Sequence, residues 1–121
     1  MPYLVVTARV LFAAIFLVAA PRHFTAEGID HAADLGVPLA KLAVPLSGVL
    51  AIVGAVSVIT GYHARLGAAL LVAFLVPVTL MMHAFWTIDD PIQVHVQQAM
   101  FMKNVSLLGA AIFIACVGAT R

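Results

Sequence analysis

Charge is scarce in this chain. Of its 121 residues, 9% are charged and 64% are hydrophobic, whereas soluble domains carry about 25% charged residues. A soluble protein this apolar could not cover its surface, so the composition implies an integral membrane protein. The net charge of +1 gives no basis for binding nucleic acid. Cysteine is nearly absent. The single Cys116 excludes an internal disulfide, a CxxC redox pair and a thiolate zinc cage, and inside its apolar run it reads as a small buried hydrophobe. No nucleophile–base arrangement, phosphate-binding loop or paired-carboxylate pattern is visible. Acids are confined to Glu27, Asp30, Asp34, Asp89 and Asp90.

What is present is a set of long apolar runs. A helical span needs about 20 such residues. Four segments meet this, roughly 3–20, 42–60, 64–86 and 98–119. None alternates as the strands of a closed barrel must. The fold class is therefore an all-α integral membrane protein, a four-transmembrane-helix bundle in one domain over residues 1–121. The first run is not expected to be a signal peptide. Arg9 lies inside it, and no small-x-small cleavage site follows before Pro21. Arg9 itself reads as an anchor snorkelling to the interface. Gly48, Ala51, Gly54 and Ala55, with Gly67 and Ala68, offer small faces for close helix packing. Such faces also permit a homo-oligomer. Pro77 should bend the third span.

The first connection, Pro21 to Lys41, is too long to be structureless in a compact domain. Thr25 is a candidate N-cap, and Gly36 with Pro38 a candidate stop. Between them a short amphipathic interfacial helix is expected between spans 1 and 2. Four spans put both termini and the Gly61–His63 turn on one side. Arg9, Arg65 and Arg121 are near that side; every acid is on the other, together with Arg22 and Lys41, a margin of three cations to two, or level if Lys103 is included. The positive-inside rule then predicts cytoplasmic termini.

Polar residues gather at the opposite, external end. His23 ends the first span, His83 and Trp86 end the third, and His95 and Gln97 open the fourth. Asp89 and Asp90 lie in the adjoining loop. Lys103 and Asn104 sit deeper, within the fourth span. Gln97, Phe101, Asn104 and Leu108 follow helical spacing, and Lys103 is about 100° round from Asn104. A lysine at mid-bilayer costs roughly 2.5–3.5 kcal/mol. It should face a polar cavity, find a partner such as Asp89, Asp90 or Gln97, or snorkel outward. Trp86 alone reads as an aromatic-belt anchor, and His83 alone as a hydrogen-bonded helix-end histidine. Together they suggest a pocket. Its candidate ligand-binding residues are His83, Trp86, Gln97, Phe101, Lys103 and Asn104, with His23, Asp89, Asp90 and His95 as a polar rim. An apolar slot with a few donors suits a quinone. Histidine with nearby methionine suits copper, but no local ligand spacing supports it, and haem would need His23 and His83 to face each other. No metal and no catalytic residue is assigned.

These residues resemble the DoxX family of small bacterial four-span membrane proteins. The likeness rests on Arg9-Val-Leu-Phe-Ala-Ala-Ile-Phe-Leu, Gly-Val-Pro38, the glycine-rich stretch from Gly48 to Gly54, and Gly61-Tyr-His-Ala-Arg65. His83-Ala-Phe-Trp86, Asp90-Pro91 and Gln98-x-x-Phe101-x-Lys103-Asn104-x-x-Leu107-Leu108-Gly109 complete it. Where many members carry Gly and Lys at the end of the first span, this chain reads Ala20-Pro21-Arg22-His23-Phe24. The resemblance implies a multi-pass protein of the bacterial inner membrane. Some members resemble subunits of a thiosulfate:quinone oxidoreductase or of complexes handling thiol or oxidative stress. Animal relatives resemble assembly chaperones. Two functions follow as expectations. One is a membrane subunit of a redox complex, with a redox protein partner and quinone as cofactor. The alternative is a non-catalytic partner or assembly chaperone that docks another protein.

Overall fold

A computed structural model describes residues 2–119. Arg121, counted above for orientation, lies outside the described residues. Five α-helices follow in order: α1 Pro2–Ala19, α2 Ala26–Asp34, α3 Ala40–Thr60, α4 Ala64–Met82 and α5 Pro91–Val117. Short 3₁₀ segments, Ala20–Phe24 and Phe85–Thr87, extend α1 and precede α5. No strand occurs among the described residues. Four helical stretches are long and apolar enough to cross a membrane. The architecture is the all-α membrane bundle expected from composition.

The helices pack as a chain of neighbours: α1 on α3, α3 on α4, and α4 on α5. The core is narrow because its lining is small. Ala13, Ala51, Ala55, Ala68 and Ala111 are fully or almost fully buried, with Val58, Leu71, Leu75, Phe16 and Phe74 filling the space between. At the tightest crossing Gly54 of α3 meets the Gly67 carbonyl of α4. A Cβ at Gly54 would lie 2.8 Å from that oxygen and from Leu71 Cγ. Close approach of this kind is how helices associate in lipid, where apolar residues gain nothing by leaving the solvent.

α2 forms as its caps direct. The Thr25 hydroxyl accepts from the Gly28 N–H at 3.0 Å, and Gly36 follows the helix at φ +92°. Its apolar side, through Ala32 and Ile29, packs on Ala40 and Val44 of α3 and on Met82 of α4. α2 thereby lies over one end of the bundle.

The third span runs Ala64–Thr87, as expected, with α4 ending at Met82, His83 as its C-cap and the Phe85–Thr87 turn completing the stretch. Three expectations are revised. α5 starts at Pro91 rather than near Gln98, because the Asp90 carboxylate accepts from the Ile92 N–H at 3.1 Å and proline occupies the first helical position. Arg9 does not snorkel. It is 7% exposed, and its guanidinium donates to the Val58 carbonyl at 3.3 Å. That carbonyl sits in the last turn of α3, where no intrahelical N–H remains for it. Cys116 is exposed rather than buried, because α5 turns much of its apolar surface outward, as with Ile112 at 48% and Phe113 at 65%. In a lipid-facing helix an apolar run does not distinguish inside from outside.

Candidate functional site

Beneath α2 the bundle is not filled. A half-open cavity of about 580 Å³ lies between the end of α1, the Ala20–Phe24 segment, α2, and facing turns of α3, α4 and α5. Its apolar walls include Phe16, Phe74, Pro77, Val78, Met81 and Leu107. Its polar lining includes Arg22, His23, His31, Ser47, His83, Gln97, Lys103 and Asn104. This size lies within the range of small-molecule sites, roughly 300–1,000 Å³, as does the pattern of apolar walls with few polar groups.

Each polar group has a local cause. Pro21 turns the end of α1 into a 3₁₀ segment, which swings His23 against α3. The approach is close enough that a Cβ on Gly48 would lie 2.7 Å from His23 Cβ and 2.9 Å from Phe24 Cζ. His23 Nδ1 lies 2.8 Å from Ser47 Oγ and 3.3 Å from the Val44 carbonyl. Ser47 donates its own hydrogen to that carbonyl at 2.6 Å. The only consistent arrangement has Nδ1–H donating, which leaves Nε2 as an acceptor. The His23 ring also packs on Phe74 at 5.6 Å between centroids.

His83 is positioned from the other side. As the C-cap of α4 it has left the helix, and its Nδ1 donates to Gln97 Oε1 at 2.7 Å. Its Nε2 is likewise left as an acceptor. Asn104 is 6% exposed. Its amide makes no hydrogen bond to the protein among the described residues and opens on the cavity. Lys103 is exposed, and its Nζ reaches only Met100 Sδ, at 3.7 Å. Neither Asp89 nor Asp90 pairs with it, since both sit in the connection before α5, more than three and a half helical turns away.

The cavity thus gathers His83, Gln97, Lys103 and Asn104, and His23 forms part of its wall. Trp86 and Phe101 are elsewhere. They pack with Phe85 in an edge-on cluster, with centroids 5.3–5.6 Å apart. Phe101 is about 40° round the helix from Gln97, far enough to meet the 3₁₀ segment instead of the cavity. Asp89, Asp90 and His95 are exposed and outside the lining. Arg22, His31 and Ser47 join the site although they are not among the candidates that the sequence offers. Only the position of α2 over the bundle end brings His31 in. Among the described residues no three His, Cys, Asp or Glu side chains converge as a metal site.

The sequence profile of the DoxX family matches residues 4–84, two thirds of the chain. The chain belongs to the DoxX family. No curated protein and no solved structure matches it. The match covers α1 through α4 and stops at the turn after His83, so it excludes α5. Within the DoxX match lie Arg22, His23, His31, Ser47 and His83. Gln97, Lys103 and Asn104 enter the site through the packing of α5 on α4.

Proposed function

We propose that this DoxX protein is a membrane subunit of a redox complex and holds a quinone-sized, lipid-soluble ligand in the cavity under α2. The observation that carries this is the ligand-sized cavity itself, apolar-walled and lined by His83, Gln97, Lys103 and Asn104, with the Asn104 side chain making no hydrogen bond to the protein among the described residues. The donor set suits a quinone: the Asn104 amide and Lys103 ammonium can donate to carbonyl oxygens. The Nε2 atoms of His23 and His83 can accept from the hydroxyls of the reduced form. Phe74, Pro77 and Met81 supply the apolar slot. A bound quinone would supply two-electron, two-proton acceptance, while the chain would bind the ring and hold protons. Mass spectrometry of the mildly solubilised protein tests this directly. The expected result is one retained quinone per chain, lost in Lys103→Ala. Quinone-linked electron transfer that survives both Lys103→Ala and His83→Ala would overturn it.

A second reading has its own support. Glu27, Asp30, Asp34, Asp89 and Asp90 are all exposed, and none forms an ion pair among the described residues. This acidic display would suit a docking face for a partner protein. Charge reversal at Asp89 would then lose a co-purifying chain while ligand retention is unchanged. On either reading the termini face the cytoplasm and the cavity opens toward the outer side of the inner membrane. Labelling Cys116 and an introduced Asp34→Cys from either side of intact cells tests that orientation.

A further inference from the structure

The cavity carries a charge pattern that a neutral ligand does not need. Two fixed cations line it, Arg22 and Lys103, along with three histidines, and no carboxylate does. All five acids of the chain point elsewhere and are exposed. Lys103 is the more telling cation. It is the thirteenth residue of a 27-residue helix long and apolar enough to cross a membrane, about 18 Å along the axis from the helix start, and so within that span and not at its end. Its neighbours Met102 and Val105 are 52% and 40% exposed on the apolar exterior. A cation there is costly unless it meets an opposite charge or water. Its nearest polar contact is a thioether sulfur, a weak acceptor.

The packing also suggests a route. α1 is held by α3, and α5 by α4, with little direct packing between α1 and α5. Both helices nevertheless line the cavity, through Ile15, Phe16 and Ala19 on one side and Met100, Lys103 and Leu107 on the other. The side of the cavity between α1 and α5 is thus the one least closed by helix packing, and Lys103 is among its lining residues.

We infer that the cavity takes a single-chain amphiphile with an anionic head, which enters from the bilayer between α1 and α5 and sets its charge against Lys103. The inference rests on the proposed reading of the cavity as a ligand site, but not on the ligand being a quinone. A carboxylate head would accept from the Lys103 ammonium and the Asn104 amide. The tail would lie along Ile15 and Leu107 toward lipid.

The test uses the full chain in a neutral detergent and native mass spectrometry with four probes: oleate, oleyl alcohol, dioleoyl phosphatidic acid and a short-chain ubiquinone. Oleate should be retained at one per chain, about tenfold more tightly than oleyl alcohol, since a charge-assisted bond is at stake. Lys103→Gln should remove that preference and Lys103→Arg should keep it, which separates loss of charge from loss of fold. Equal retention of oleate and the alcohol, or a preference unchanged in Lys103→Gln, overturns the inference. Phosphatidic acid retained in place of oleate overturns the single-chain assignment. Ubiquinone retained without oleate overturns the charge inference and leaves the quinone reading standing. Oleate retained without ubiquinone does the reverse. No probe retained overturns both.

Discussion

The imidazole of His83 and the amide of Gln97 meet at 2.7 Å across the break between α4 and α5. One residue ends a helix and the other lies in the second turn of the next. The bond therefore closes the loop that carries Phe85 and Trp86, and it fixes the His83 tautomer with Nδ1 protonated. Gln97→Leu removes the acceptor. The expected cost is about 0.5–1.5 kcal/mol of stability, read as a lower melting temperature in detergent. Nitrogen-15 NMR of the histidine ring should show the Nδ1–H tautomer in the parent and a mixture in the variant. An unchanged tautomer ratio would remove Gln97 from this role.

Gly48 is where the Ala20–Phe24 segment rests on α3. A methyl group there would press on His23 Cβ at 2.7 Å and on the Phe24 ring. Gly48→Ala should cost about 1–3 kcal/mol through overpacking, and Gly48→Val more. The displacement would also separate His23 from Ser47. Wild-type thermal stability in both variants would mean that the segment yields without strain.

Arg9 contributes to the opposite end. Its guanidinium serves the Val58 carbonyl, while the Gly61 N–H is taken by Ser57 and the Tyr62 N–H bonds the Thr60 hydroxyl. A cation at a helix C-terminus also opposes the negative end of the dipole. Arg9→Met would leave that carbonyl without a partner, at a cost of about 1–3 kcal/mol. Arg9→Lys should retain part of it. A methionine variant as stable as the parent would show that the bond contributes nothing net.

The sequence carries the bundle and only part of the site. The four apolar runs are legible because a bilayer requires length and apolarity, and α2 is legible because Thr25 and Gly36 are cap and stop. Helix faces are not legible in runs that are apolar all round. The apolar pattern therefore does not tell which side of their helices Arg9 and Cys116 occupy. The start of α5 is ambiguous because Asp90-Pro91 serves equally as a turn signal and as an N-cap with proline following. The polar turn from Ile92 to Gln97 has the composition of a loop. His31 and Arg22 could not be placed in the cavity without knowing that α2 folds back over the bundle.

Asp90 has two uses that must be separated in any test of the acidic face. Its carboxylate caps α5 through the Ile92 N–H. Asp90→Ala should cost about 1 kcal/mol, whereas Asp90→Asn should preserve the cap and remove only the charge. Paired thermal melts of these two variants check the capping. If alanine and asparagine behave alike, the cap is not contributing. Co-purification of a partner from membranes should then be compared between the parent and Asp90→Asn, not Asp90→Ala.

Asn104 gives a prediction that separates stability from binding. Its side chain is 6% exposed, makes no hydrogen bond to the protein among the described residues and lines the cavity, so its polar atoms are left to whatever fills that space. Asn104→Leu has a similar volume and no polar atoms. It should therefore leave the melting temperature of the ligand-free protein unchanged or raise it, by the equivalent of up to about 1 kcal/mol. The same variant should lose the retained ligand, because the leucine can neither donate nor accept. A residue kept only for packing would not behave this way, since replacing it would move stability and binding together. Stability kept or raised, with loss of ligand, is the signature of a polar group held for binding. If Asn104→Leu is instead destabilised, the amide has a partner inside the folded protein and is not waiting for a ligand.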